Sequence, residues 1–434
     1  MPKIHPIAAI EYNFNETKDL SDLIAPPYDV LDESSKAALL AKNPHNIVKV
    51  DLPHLPPKTV GPDATYLQAA EVFKQWIAEG VLVQRTTPAI YVYQQTYTVK
   101  GTQYKRRGVI ANVQLQDFGP GQNGNGGIFP HEQTFSAPKE DRLKLMKATQ
   151  AQLSPIFGLF ADEAGKVQPL LDEVAEAGNP TFIATTAQDG VLHEVWVIES
   201  AQKIAAFAAA LDPCDTFIAD GHHRYGTALN YRDAVGPFPE GHSGNQCLFV
   251  LVALTDPGCI VLPTHRVLGS MTDYSFDAFA KASAGKLVLK PFEGTLAELE
   301  AALPDAGPHA MGLYDPAHGM AIATTVDPDP LKGTHGNMSS AWRQLDVAVL
   351  QHLIVEGICE PTFCNGGNVT WKFPHTLDEA KLIADADGFQ LAVIMQPTPI
   401  GSIGDVCSSG ELMPQKSTFF YPKLATGLAI NPVG

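Results

Sequence analysis

Apolar positions along this chain follow two rhythms. Alternating or continuous runs of β-branched and aromatic residues at 89–99, 107–115, 156–160, 191–198, 216–219 and 248–254 predict strands. Gly101-Thr102 between the first two predicts a hairpin. Apolar residues at helical spacing predict helices at 34–42, 64–79, 167–176 and 201–211. The prolines of Ile24-Ala25-Pro26-Pro27-Tyr28-Asp29-Val30 hold that stretch extended. Pro138 opens a further helix over 139–152. A strand at 259–262 runs into Pro263-Thr264-His265-Arg266-Val267, a second strand followed by a His-Arg turn. Beyond residue 270, helices are expected at 276–284, 296–303 and 346–356, and strands at 310–314 and 320–325.

Strands and helices so interleaved make an α/β (α+β) protein. At 434 residues the chain exceeds one ordinary domain. We expect an N-terminal α/β domain at 1–116, a core at 117–270 and a C-terminal α/β domain at 271–434, with the tail packing on the core. The tail Lys416-Ser417-Thr418-Phe419-Phe420-Tyr421-Pro422-Lys423 reads as a terminal strand, or as a cationic, hydroxyl-bearing segment that closes over a ligand.

Composition narrows the function. Hydrophobic content of 45% supports well-filled cores, and the formal net charge is -17. A general nucleic-acid or anionic-membrane binder needs a basic face, so neither partner is expected. The start carries no signal-peptide core. The longest apolar run, 247–254, is far shorter than a membrane span. Six scattered Cys with no Cys-x-x-Cys suit reduced thiols. A cytoplasmic protein is expected, with no oligomeric state specified.

The chemistry concentrates in two blocks. In the first, an apolar strand runs into Asp220-Gly221-His222-His223-Arg224 and then into a helix. Strand, tight turn and helix start form an oxyanion cradle, with backbone N–H groups and the helix dipole aimed at the turn. Arg224 can fork onto phosphate, the histidines can donate or relay protons, and Asp220 can hold a hydroxyl or a metal. In the second, the glycine-rich loop at 117–127 ends at His131-Glu132, where a carboxylate can take a proton from a hydroxyl or cap a helix. The helix that follows carries Lys139, Arg142, Lys144 and Lys147, either an anion-binding face or a solvated surface.

Taken together, Pro130-His131-Glu132, Arg142 with Leu143 and Leu145, Ser154-Pro155-Ile156 and the DGHHR block resemble the ParB/sulfiredoxin-like fold. They look most like its free-serine kinase branch, over roughly residues 125–235. The resemblance implies a phosphotransferase core elaborated at both ends. More than sixty residues separate Pro155-Ile156 from DGHHR, so an inserted subdomain near 157–212 is expected. The implied reaction moves phosphate from ATP or ADP, with Mg2+, to the hydroxyl of L-serine. The implied catalytic set is Glu132 as base, Asp220 on the hydroxyl or Mg2+, and His223. The implied phosphate set is Gly221, His222, Arg224, Arg142 and Lys139, with Lys416, Ser417 and Thr418 from the tail.

Two alternatives stand beside the kinase: a nucleotide-binding ParB-like switch, and a metal-dependent phosphohydrolase using His131, Glu132, Asp220, His222 and His223. No P-loop is present. Sulfiredoxin chemistry is excluded, since its turn needs a Cys where His222 stands. The IAPPYDV, NPHNIVKVDLP, PHEQT, SPIFGLF, ADGHHRY and MPQKSTFFYPKLATGL blocks also resemble, end to end, a large bacterial and archaeal family of unknown function.

Overall fold

The computed structural model describes residues 3–120 and 126–434. Part of the loop expected at 117–127 therefore lies outside the described residues. The chain forms two compact units. The first comprises Met1–Cys259 and Pro422–Gly434, and the second comprises Ile260–Tyr421.

The first unit is mixed α/β, built on a nine-stranded sheet. From one edge its strands run Ile128–Phe129, Thr216–Asp220, Ile156–Phe160, Gln246–Ala253, Thr102–Gln114, Ile90–Val99, Leu192–Ile198 and Phe182–Thr185. Ile4–His5 adds to Thr102–Gln114. Two pairings are parallel, Ile128–Phe129 with Thr216–Asp220 and Ile156–Phe160 with Gln246–Ala253. The others in this sheet are antiparallel, including the hairpin predicted around Gly101-Thr102. Val109, Ala111 and Val113 alternate into one core with Phe249 and Leu251. The helices Val167–Glu176 and Ala201–Leu211 close that core through Leu171, Phe207 and Leu211.

These boundaries differ from the three-domain expectation. Residues 90–114 pair directly with Gln246–Ala253, so the N-terminal segment and the core share one sheet. The expected insertion contributes to it as well. Leu192–Ile198 pairs residue for residue with Ile90–Thr96 along a shared register. A strand seven residues long that ends in four consecutive apolar residues is best buried beside an existing edge, which a separate subdomain would not offer.

The second unit carries a six-stranded antiparallel sheet in the order Leu287–Phe292, Gly319–Thr325, Met311–Asp315, Phe389–Ile394, Arg266–Gly269, Thr370–Lys372. Leu299, Ala380 and Ala384 from the helices Leu296–Ala302 and Leu377–Ala384 fill its core. His265-Arg266 enters a strand here, where a turn was expected. The helix expected near 346–356 is α-helical over Asp346–Val349 and continues as a π-helix over Leu350–Cys359. In the same unit Phe419–Tyr421 pairs with Ile260–Leu262, the terminal-strand reading of the tail. Among the described residues no helix is long and apolar enough to cross a membrane.

Candidate active site

Two sequence blocks nearly ninety residues apart leave the sheet side by side. Thr216 pairs with Ile128 and Phe217 with Phe129 in parallel. Both strands therefore release their next residues at the same edge: Pro130-His131-Glu132 from one, Asp220-Gly221-His222 from the other. The carboxyl ends of parallel strands are where open α/β sheets hold ligands.

Gly221 makes the turn. Its φ is 99°, a left-handed conformation that glycine adopts without strain. A Cβ there would also sit 3.0 Å from Nε of Arg224. The helix His222–Val235 starts immediately after, with no side-chain cap on its first N–H groups. Those donors and the positive end of the dipole face the turn.

Backbone contacts engage a ring nitrogen of each of the three histidines. The backbone N–H of His131 donates to Nε2 of His222 at 3.2 Å. His222 can accept there only as neutral imidazole, with its proton on Nδ1. Nδ1 of His131 donates to the Ile218 carbonyl at 2.7 Å. The backbone N–H of Phe135 donates to Nε2 of His223 at 3.1 Å. Burial lowers the pKa of each of the three. It lowers His222 furthest, with His131, His223, Arg224 and Lys423 adding positive-charge repulsion. The Glu132 carboxylate, half-buried, lies near enough to favour charge on both His131 and His223, but burial outweighs it.

Asp220 sits between two cations. Arg224 Nη2 lies 3.3 Å and Lys423 Nζ 3.7 Å from its Oδ2. Arg224 also donates to the Pro155 carbonyl, which links the SPIFGLF block to the turn. Among the described residues, no three His, Cys, Asp or Glu side chains form a metal-binding group. Mg2+ usually takes one or two carboxylates together with substrate phosphates and waters, and Asp220 offers one carboxylate here, shared with two cations. His222 Nε2, a ligand atom in the phosphohydrolase reading, accepts a backbone N–H.

The four cations of the helix Ser136–Thr149 do not share a face. Lys144 pairs with Asp63 at 2.7 Å, and Lys147 is exposed. Lys139 lies along the Gly226 face of the neighbouring helix, where a Cβ would meet its Cδ at 2.9 Å. Arg142 is buried at 6% exposure. Its Nε donates to Asp141 at 2.7 Å, its Nη1 to the Asp51 carbonyl at 2.6 Å, and Tyr28 lies flat against it. Asp51 in turn accepts from Ser154 at 2.9 Å. Arg142 thus knots the APPYDV, VDLP and SPIF blocks together, and only its Nη2 lacks a hydrogen-bond partner. Pro138 falls inside the first turn of this helix, which begins at Ser136, three residues before the predicted 139.

Lys416, Ser417 and Thr418 belong to the second unit. There Thr398 donates to the Ser417 carbonyl at 2.6 Å and Arg266 to the Lys416 carbonyl at 2.8 Å. The tail does contribute to the site of the first unit, through Lys423. Sequence reasoning also passed over Asp29 and Lys58, a pair 3.4 Å apart whose charges act on His223. Asp29 and Lys423 lie within the APPYDV and YPKL blocks, the signal that could have singled them out.

A family profile matches residues 4–348. The chain belongs to the DUF1015 family. That family is described as proteins of unknown function. No curated protein matches the chain significantly. Among solved structures the chain is similar to a free serine kinase variant in complex with ADP, at 13% identity and a TM-score of 0.33, covering 69% of this chain and 89% of that one. It is also similar to a conserved hypothetical protein from Pyrococcus furiosus, at 12% identity and TM-score 0.33, covering 70% and 90%. SbnI from Staphylococcus aureus, with its C-terminus truncated, is similar at 10% identity and TM-score 0.35, covering 70% and 83%.

Proposed function

We propose that this DUF1015 protein is a nucleotide-dependent small-molecule kinase with a ParB/sulfiredoxin-like core, and that free L-serine is its acceptor. The observation that supports this reading is the parallel pairing that sets Glu132 beside the DGHHR turn. Phosphoryl transfer asks for positioning, cations and a base near the acceptor, and little covalent chemistry from the protein.

In this reading the nucleotide phosphates lie over the start of the helix His222–Val235. Uncapped N–H groups, Arg224 and Lys423 are the donors there. A Mg2+ ion accompanying the nucleotide would neutralise part of the phosphate charge, with Asp220 the residue that would hold it. The serine hydroxyl attacks the terminal phosphorus, its proton passes to Glu132, and the bond to the leaving nucleotide oxygen breaks. Asp220 orients the hydroxyl and holds Arg224 and Lys423 in place. His222 and His223, kept neutral by burial and backbone contacts, supply Nδ1–H donors without adding fixed charge.

The test is turnover of ATP and of ADP with Mg2+, with and without L-serine, reading phosphoserine by mass spectrometry. Phosphoserine that forms with the native chain and disappears in Glu132→Gln is the expected result. Nucleotide binding or hydrolysis without phosphoserine would overturn the acceptor and favour a nucleotide switch. No nucleotide interaction at all would sink both.

A further inference from the structure

The second unit holds a cleft of about 480 Å³ that the proposed reaction does not use. That is the size of a small-molecule site. One wall is the edge of the six-stranded sheet. Val369, Trp371 and Phe373 alternate along the edge strand, so all three present to one face, and all three line the cleft. The Trp371 and Phe373 rings are parallel, 4° apart in orientation with centroids at 6.0 Å, and stack as neighbours along this wall. The Arg266 guanidinium caps its Phe373 end at 5.8 Å from the ring. The fork of Arg266 is turned away onto the Thr264 and Lys416 carbonyls.

The other wall is the π-helix Leu350–Cys359. Its i→i+5 bonding brings residues five apart into line. Gln351 and Glu356 are five apart, and both line the cleft with Val355 and Glu360. An α-helix turns 100° per residue and would splay Gln351 and Glu356 by about 140°. The π-helix is therefore what puts Gln351 and Glu356 on the cleft together, and Glu360, the first residue of the α-helix that follows, lies four residues beyond Glu356. Gln351 Nε2 donates to Glu356 Oε1 at 3.0 Å, His352 Nδ1 pairs with Glu356 Oε2 at 2.7 Å, and the Val369 N–H donates to Glu360 at 3.1 Å, so both carboxylates are held. Each keeps accepting capacity beyond these bonds.

We propose that this cleft binds a flat organic cation, an aromatic ring bearing a protonated amine. The ring packs against the Trp371 end of this stack, where an aromatic face and a desolvated cation both gain. The ammonium sits at Glu356 and Glu360. The Arg266 charge at the opposite, Phe373 end of the stack fixes the orientation and turns a second cation away. This second site is independent of the kinase reading, which places its chemistry in the first unit.

The experiment is calorimetric titration of the full chain with tryptamine and with indole-3-acetate, the same ring with opposite charge. Tryptamine is expected to bind one to one, at least tenfold tighter than indole-3-acetate. The double variant Glu356→Gln/Glu360→Gln keeps its hydrogen-bonding shape and should weaken tryptamine at least tenfold with an unchanged melting temperature. Glu163→Gln/Glu240→Gln removes two exposed carboxylates elsewhere and should leave the affinity unchanged, which separates a built site from attraction to an acidic surface. Failure of tryptamine to saturate, equal binding of the two ligands, or an equal response to both double variants would overturn the proposal.

Discussion

The backbone N–H of His131 donates to the imidazole of His222, and the two rings meet edge to face with centroids 4.6 Å apart. This contact joins the strand exit that carries Glu132 to the turn that carries Asp220. It also requires His222 to be neutral, which couples the protonation of one side chain to the assembly of the site.

Stability should therefore depend on pH through these histidines. In the unfolded chain a histidine titrates near 6.5, while burial holds His131, His222 and His223 below that value and His193 at about 3. As pH falls below 6.5 the unfolded state takes up protons that the native state refuses, so folding weakens. Each such histidine contributes a slope of up to about 1.4 kcal/mol per pH unit until its native pKa is reached. Urea unfolding from pH 8 to pH 5 should show the midpoint dropping below pH 6.5, with a shallower drop in His222→Gln. A flat profile would refute the neutral-histidine assignment.

Glu132→Gln should cut phosphotransfer by roughly 10²–10⁴-fold, the range of a lost general base. Asp220→Asn should also abolish turnover, since it loosens Arg224 and Lys423. Circular dichroism should show both variants folded. Full activity in Glu132→Gln would remove that residue from the base role.

Under the proposed function Arg224 is a phosphate donor, so Arg224→Ala should weaken nucleotide binding beyond what the lost tie to Pro155 costs in melting temperature. Titration with ADP would measure this. Unchanged affinity would place the phosphates elsewhere.

Gly221→Ala forces a side chain into a left-handed turn and against Arg224. A destabilisation of about 1–3 kcal/mol is expected. Denaturant unfolding checks it, and a neutral result would mean the turn can relax.

Arg142→Met should cost more, about 3–5 kcal/mol, since it strands two buried carboxylates. Asp51 is already pushed up by burial and restrained by Arg142 and Ser154. Arg142→Met/Asp51→Asn should recover part of the loss. No recovery would show that the two do not act as a pair.

Local pattern made the DGHHR strand, turn and helix legible, because a short apolar run, a glycine and a helical stretch each declare themselves within a few residues. The hairpin around Gly101-Thr102 was legible for the same reason. Partnership across long separations was not. Nothing in 192–198 announces a neighbour at 90–96, and nothing in Arg142 distinguishes a surface cation from one buried between Asp51 and Asp141. Lys423 shows the same limit, since its partner Asp220 is two hundred residues away and on the other side of an intervening unit in sequence. The π-helix was read as an ordinary helix because its apolar positions satisfy both periods over so few turns.

The chain leaves the first unit at Cys259 and rejoins it at Pro422. The returning segment receives Arg106 on the Pro422 carbonyl at 2.6 Å, exchanges backbone bonds between Ile430 and Ile10, and pairs Asn431 with Gln152. A nascent polypeptide that has emerged from the ribosome only as far as Tyr421 has every strand of the nine-stranded sheet but lacks these ties and Lys423. Translation must run through the whole second unit before the first can close, so the site comes into being late in synthesis, after the bulk of both units has been made.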